Sequence, residues 1–240
     1  MYILYWSQKQ LSKLILAVLL VTIFGIITLG IKRQELIVTT MQVAPIYRGD
    51  LNKKAVSFSF NVDWGEETIP ALLDVLQKNN VKATFFVTGR WVRKNPELTK
   101  KIHAQGHQLE NHGYSHPHAD RLSKQDNKNE IEKTEKVIFD LIQHRTRFFA
   151  PPYGEKKPQV VSAAWELGYA TVMWTIDTID WHPSANETSF LRRVKDNLQN
   201  GAIILMHPKP VTVKALPALI SHLKQEGYAI VLLKDIVAAH

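Results

Sequence analysis

The chain has 240 residues, ten of them histidine and none cysteine. Without thiols there can be no disulfide scaffold, no thiolate metal site and no cysteine nucleophile, so a metal would have to sit on imidazole and carboxylate. The densest grouping of such side chains is Glu110-Asn111-His112-Gly113-Tyr114-Ser115-His116-Pro117. Two imidazoles four residues apart on a helical turn face the same way and reach one cation. The same spacing arises by chance among ten histidines, as two separately satisfied side chains. Pro117 and the position of the pair after Gly106 and a short apolar strand add weight to the ligand reading. Asp63, in Phe60-Asn61-Val62-Asp63-Trp64-Gly65, is the natural carboxylate to complete a set of three.

These residues must be carried by elements, and β-branched or aromatic runs alternate with helical periods. Strands are expected at 55–60, 83–87, 148–150, 170–176, 202–206 and 229–233, and helices at 67–79, 94–105, 124–143, 157–167, 186–199 and 213–225. Three helices run into a glycine (Gly106, Gly168, Gly227), which accepts the left-handed conformation that ends a helix. Strands alternating with helices give an α/β chain of parallel units, either a doubly wound sheet or a compact barrel. Both place their chemistry at the carboxyl ends of strands. Polar groups do gather there: Asn61 and Asp63 after the first strand, Tyr153 after the run at 148–150, Asp177 and Asp180 after 170–176, and His207 after 202–206.

Charge and hydropathy divide the chain. The net charge is +8, but Lys9, Lys13, Lys32 and Arg33 carry half of it and flank eighteen uncharged residues, Leu14 to Ile31. That run is just long enough for a membrane-spanning helix. It is longer than a usual signal core and no A-x-A site follows it, so residues 1–33 read as a signal-anchor, 34–53 as a stalk and 54–240 as the folded α/β domain. The expected location is the cell membrane, single-pass with the domain outside the cytoplasm, or secreted if the segment is cleaved. The charged runs at 124–136 and 191–197 mix both signs and lack the basic, aromatic-interleaved character of a nucleic-acid surface. Glycine-rich nucleotide-binding motifs are absent, so neither nucleic acid nor a nucleotide cofactor is expected as a partner.

The ordered set Phe60-Asn61-Val62-Asp63-Trp64-Gly65, Asn111-His112 with Ser115-His116-Pro117, Phe149-Ala150-Pro151-Pro152-Tyr153-Gly154, Asp177-Thr178-Ile179-Asp180-Trp181 and Leu205-Met206-His207 resembles the polysaccharide deacetylases, carbohydrate esterase family 4 (the NodB-homology domain). The resemblance spans about 54–238. It implies a distorted (β/α) barrel with fewer than eight strands, and a metal-dependent hydrolase that removes acetyl groups from cell-wall glycan such as peptidoglycan or a chitin-like polymer. By carry-over, Asp63, His112 and His116 would be the metal ligands, with Zn2+ expected and Co2+ or Fe2+ compatible with the donor set. Such an ion lowers the pKa of bound water to about 7 and polarises a carbonyl. His207 would be the general acid and Asp180 its hydrogen-bonding partner. Amides around Tyr153 would help bind an oxyanion, and Trp181 and Leu205 would wall the acetyl methyl.

Two positions depart from the family pattern. Its first motif usually offers a second Asp as base, where this chain has Asn61, and an amide cannot accept the water's proton at neutral pH. The Arg usually paired with that base is Ala150 here. The departures are coupled, since a buried Arg without its counter-charge is costly. Three readings follow: a deacetylase in which Glu66 or His207 takes the proton, a catalytically impaired protein that binds glycan through the retained metal pocket, or structural relics without metal. Trp64, Tyr114, Tyr153 and Trp181 adjoin the site and either stack on sugar rings or pack the barrel mouth. Trp165 and Trp174 read as core, and Asp177 as a turn cap.

Overall fold

The computed structural model describes residues 7–40 and 43–237. Residues 1–6 of the expected anchor, 41–42 of the expected stalk and 238–240 lie outside the described residues, as do the side chains of Lys32 and Arg33. The chain divides into two units, Met1–Val43 and Ala44–His240.

The first unit holds α1 (Gln8–Thr40), which passes through the expected stalk boundary without a break. Its segment Gln8–Leu29 is long and apolar enough to cross a membrane, with a mean hydropathy of 2.4. The three hydroxyls within it bond internally: Ser12 donates to the Lys9 carbonyl, Thr22 to those of Val18 and Leu19, and Thr28 to those of Phe24 and Gly25. These hydroxyls are satisfied within the helix, as a lipid environment requires.

In the second unit strands and helices alternate: β1 (Ala55–Val62), α2 (Ile69–Lys78), β2 (Thr84–Val87), α3 (Gly89–Lys94), α4 (Pro96–Ala104), β3 (Gln108–Asn111), α5 (Lys124–Ile142), β4 (Phe148–Phe149), α6 (Pro158–Glu166), β5 (Ala170–Thr171), β6 (Ile176–Asp177), α7 (Glu187–Asp196), β7 (Ala202–Met206), α8 (Pro210–Gln225), β8 (Ala229–Val231) and α9 (Leu233–Ile236). All pairings between strands are parallel, in the order β5-β4-β3-β2-β1-β7-β6, with the short β8 also beside β1. This is the distorted barrel, and the doubly wound alternative falls.

Strand β1 shows how the barrel sorts its side chains. Val56, Phe58, Phe60 and Val62 pack into one core with Leu72, Leu76, Leu216 and Leu219 of α2 and α8. Because successive strand residues point to opposite faces, Ser57, Ser59 and Asn61 face inward, where Phe86, Phe148, Ala150, Val172 and Ile203 form a second cluster. The outer core is the main source of stability, at about 1.5–3 kcal/mol for each fully buried large apolar side chain.

Three expectations need correction. The strand expected at 170–176 is two short strands, because the chain leaves β4 after Thr171 and joins β7 only at Ile176. Among the described residues β5 and β6 do not pair with each other; the lead-in lies at this seam. Ile46 bridges Val172 and Arg48 bridges Ala202, the Met173 amide donates to the Ile46 carbonyl at 2.7 Å, and the Thr175 hydroxyl donates to the Tyr47 carbonyl at 2.7 Å. Residues 44–53, read as stalk, therefore belong to the barrel unit. Finally, α3 precedes the expected helix at 94–105, started by Thr88, whose hydroxyl accepts the Trp91 amide. The three glycine stops stand as expected, with φ of +79°, +79° and +78°.

Candidate functional site

Parallel register assembles the site. Val62 pairs with Val87, Val87 with Asn111, and Asn111 with Phe149. The next residues along these strands, Asp63, Thr88, His112 and Ala150, are thereby set side by side at the carboxyl rim. On the other flank Asp177 pairs with Leu205, bringing the 177–180 turn against His207. A pocket of about 480 Å³ opens between the two flanks, lined among others by Asn61, Asp63, His112, His116, Tyr153, Trp181, Leu205 and His207. Eight of the nine expected site residues thus line one cavity, and the ninth, Asp180, lies directly behind His207.

On the His207 flank every polar group is matched. Asp180 is buried; Oδ1 lies 2.8 Å from His207 Nδ1, while Oδ2 accepts the His207 amide at 2.7 Å and the Thr212 hydroxyl at 2.6 Å. A carboxylate can only accept, so the shared proton is on Nδ1 and Nε2 is left for the pocket. Trp64 stacks on the His207 ring with centroids 5.7 Å apart, and the Lys209 ammonium lies 4.3 Å from the Trp64 ring centre. Asp177 caps its turn, accepting the Ile179 amide at 2.8 Å, as expected, while also lining the pocket.

On the opposite flank, His112 Nδ1 lies 2.6 Å from the Ala150 carbonyl oxygen. That oxygen can only accept, so Nδ1 carries the proton and Nε2 keeps its lone pair. Burial, with His116 nearby, pushes the His112 imidazole down to about 3, and burial lowers His116 as well against the pull of Asp63. The two rings are 5.0 Å apart between centroids. They do not lie on a helical turn: residues 112–118 form a loop in which His116 has a left-handed φ of +56°. Glu130 of α5 holds that loop, its Oε2 accepting the amides of Tyr114 and Ser115 at 2.9 and 2.7 Å.

Asp63 departs from its expected role. Arg90 grips it with a two-pronged contact, Nε to Oδ1 at 2.7 Å and Nη2 to Oδ2, and the Thr88 hydroxyl donates to Oδ1 at 2.8 Å. Burial works to raise the Asp63 pKa, but the bonds from Arg90 and Thr88 outweigh it and hold the carboxyl below its ordinary value. The donor chemistry of two neutral imidazoles and a carboxylate suits a divalent cation, but the arrangement does not. Among the described residues no group of three or more His, Asp or Glu is placed to hold a metal ion, and the carboxylate of the expected set already has a cation on it.

Aromatic side chains rim the cavity. Tyr153, 60% exposed and itself left-handed at φ +58°, stacks on His118 at 4.2 Å and meets the edge of His116 at 4.7 Å. His118 is fixed by Glu155, 2.8 Å from its Nδ1. Of the amides around Tyr153, those of Gly154 and Glu155 are taken, donating to the carbonyls of Pro151 and Pro152. Glu66, offered as a substitute base, pairs instead with Lys94 at 2.7 Å. Trp165, read as core, is 40% exposed, and Trp174 lines the pocket. Sequence reasoning missed Arg90, Thr88, Glu130 and Glu155. For the first two a signal existed, since they directly follow the strand at 83–87, where the carboxyl-end rule directs attention.

A family model described as polysaccharide deacetylase matches residues 48–172. An uncharacterized protein of Bacillus subtilis, YlxY, is 43% identical over 194 residues, which cover 80% of this chain and 60% of that protein, less than two thirds of its length. A peptidoglycan-N-acetylglucosamine deacetylase of Bacillus cereus is 35% identical, covering 75% of this chain and 67% of the enzyme. Among solved structures, a wild-type CE4 family pseudoenzyme from Bacillus anthracis superposes with a TM-score of 0.79 at 39% identity, covering 83% of this chain and 70% of that one. A mutant of it described as having restored enzymatic activity superposes equally well, at a TM-score of 0.79.

Proposed function

Because the chain belongs to the polysaccharide deacetylase family, we propose that its pocket holds the N-acetylated sugars of a cell-wall glycan, peptidoglycan in the first instance, with little or no turnover. One observation carries this reading. Each carboxylate at the pocket is already committed: Asp63 to Arg90 and Thr88, Asp177 to the Ile179 amide, and Asp180 to His207 and Thr212. The position resembling the family's base is the amide Asn61. No uncommitted carboxylate remains to take a proton from water, which leaves imidazole lone pairs such as that of His207 Nε2 in the pocket; loss of a dedicated base typically costs about 10²–10⁴-fold in rate. The binding parts persist: Tyr153, Trp181 and Trp64 are exposed around one cavity, and aromatic faces of this kind suit the apolar faces of sugar rings. The similarity to a pseudoenzyme supports the same reading.

A second reading, a metal-dependent acetyl hydrolase using zinc or a similar divalent ion, is favoured by the intact His207–Asp180 pair, which a glycan receptor has no need of. For location, the length and apolar character of Gln8–Leu29 support an anchor or signal sequence with the barrel outside the cytoplasm.

Two measurements on an N-acetylglucosamine oligomer test the choice: retention of the oligomer by the protein, and acetate release with and without added zinc. Retention without acetate above the protein-free control is expected. Zinc-dependent acetate release would establish the hydrolase, and absence of both retention and release would overturn the proposal.

A further inference from the structure

We propose that the guanidinium of Arg90 stands in for a divalent cation at Asp63, so that this pocket balances its charge without a bound metal and binds zinc only weakly while Arg90 is present. The inference rests on reading Asp63, His112 and His116 as the family's ligand set.

The argument begins with charge. Asp63 is nearly buried, with 8% of its side chain exposed, and a carboxylate in that setting needs a positive partner. The cationic side chain placed against both of its oxygens is that of Arg90. A planar guanidinium matches the two carboxylate oxygens in a paired contact that a point charge cannot copy, and Thr88 takes a further lone pair of Oδ1. The start of α3 is fixed for this purpose: the Gly89 and Arg90 amides donate to the carbonyls of Gly113 and Tyr114, both at 3.0 Å. Arg90 is thus tied by its backbone to Tyr114, in the loop that carries His112 and His116, and by its side chain to Asp63. A cation approaching the imidazoles would meet this positive group and would have to displace it from the carboxylate.

The test is zinc affinity of the purified full-length chain, read by competition against a chromophoric chelator, together with the zinc-induced shift in melting temperature. The wild type is expected to bind zinc weakly. Arg90→Gln should raise the affinity roughly 10–100-fold, the scale on which groups around a metal site move it, and should lower Tm without zinc and gain more Tm with zinc than the wild type does. Arg90→Lys keeps the charge without the fork and should fall between the two; it carries the test if Arg90→Gln does not fold. Adding His112→Ala to Arg90→Gln should remove the gain. Equal zinc affinity in wild type and Arg90→Gln, abolished by His112→Ala, would overturn the inference and leave the ligand set intact. Absence of zinc binding in every variant would overturn the ligand set and the inference with it. Glycan retention is measured separately, so its failure would be distinguishable from either result.

Discussion

The two flanks of the pocket have had different fates. Around His207 the hydrogen bonding is complete at the carboxylate: buried Asp180 accepts from a ring, a backbone amide and a hydroxyl, and the imidazole is left with one nitrogen for the cavity. Across the cavity the corresponding carboxylate, Asp63, is neutralised by Arg90, the neighbouring strand position is Asn61, and Ala150 offers its carbonyl to His112. Both flanks are hydrogen-bonded and self-consistent, so neither is a damaged remnant. The difference teaches that the two flanks of one pocket can be satisfied independently, because they sit on different strands and, among the described residues, Asp63 and Asp180 draw on separate hydrogen-bond partners.

The largest expected effect comes from rebuilding the altered flank. Asn61→Asp with Ala150→Arg, placed on an Arg90→Gln background and supplied with zinc, is expected to raise acetate release from an N-acetylglucosamine oligomer by about 10²–10⁴-fold over the wild type. The same pair with Arg90 retained should stay near the wild-type level. Equal gains on both backgrounds would show that Arg90 does not set the two flanks apart.

Next in size is the intact flank. Removing the buried carboxylate by Asp180→Ala leaves the His207 amide and the Thr212 hydroxyl without their acceptor. It should cost about 3–5 kcal/mol, the penalty for breaking a buried charged partnership from one side. Denaturant titration checks this, and a loss below about 1 kcal/mol would show that the Asp180 network is not the rigid half of the site.

The smallest effect lies beneath the altered flank. Glu110 of β3 joins β3 to β4, accepting the Gln108 side chain and the amides of Arg147 and Phe148. Burial pushes its carboxyl from 4.5 up to about 7 despite those bonds. The folded state therefore keeps a proton that the unfolded chain releases. The stability this group contributes is complete below about pH 4.5 and is lost as pH rises through about 7. Glu110→Gln cannot titrate, so the melting temperature of the variant minus that of the wild type should climb between pH 4.5 and 7 and level off above. Each kcal/mol corresponds to roughly 2–4 °C in a domain of this size. His107, held down to about 4 by burial, acts in the opposite direction in both proteins and cancels in the difference. A difference that stays flat with pH would place a charged Glu110 in the folded barrel.

Much of the molecule is legible in the chain itself, for local reasons. Apolar alternation marks β1 and also dictates that Asn61 shares its inward face with Ser57 and Ser59. Glycine's tolerance of positive φ marks three helix ends, and an uncharged run of eighteen residues marks the membrane-length segment. The five ordered motifs contain eight residues of one cavity. Those signals need only a residue and its near neighbours. Tertiary structure decided the rest. The break between β5 and β6 follows from which strand each piece joins, and residues 44–53 enter the barrel because the open seam leaves backbone groups for them to bond. The pairing of Arg90 with Asp63 arises because parallel register sets Val62 beside Val87 and so brings the residues that follow them together at one rim. Composition and spacing specify which charges a chain possesses. Only the packing of separate strands determines which of those charges meet, and at this site that decides whether a carboxylate is open to a metal or already satisfied.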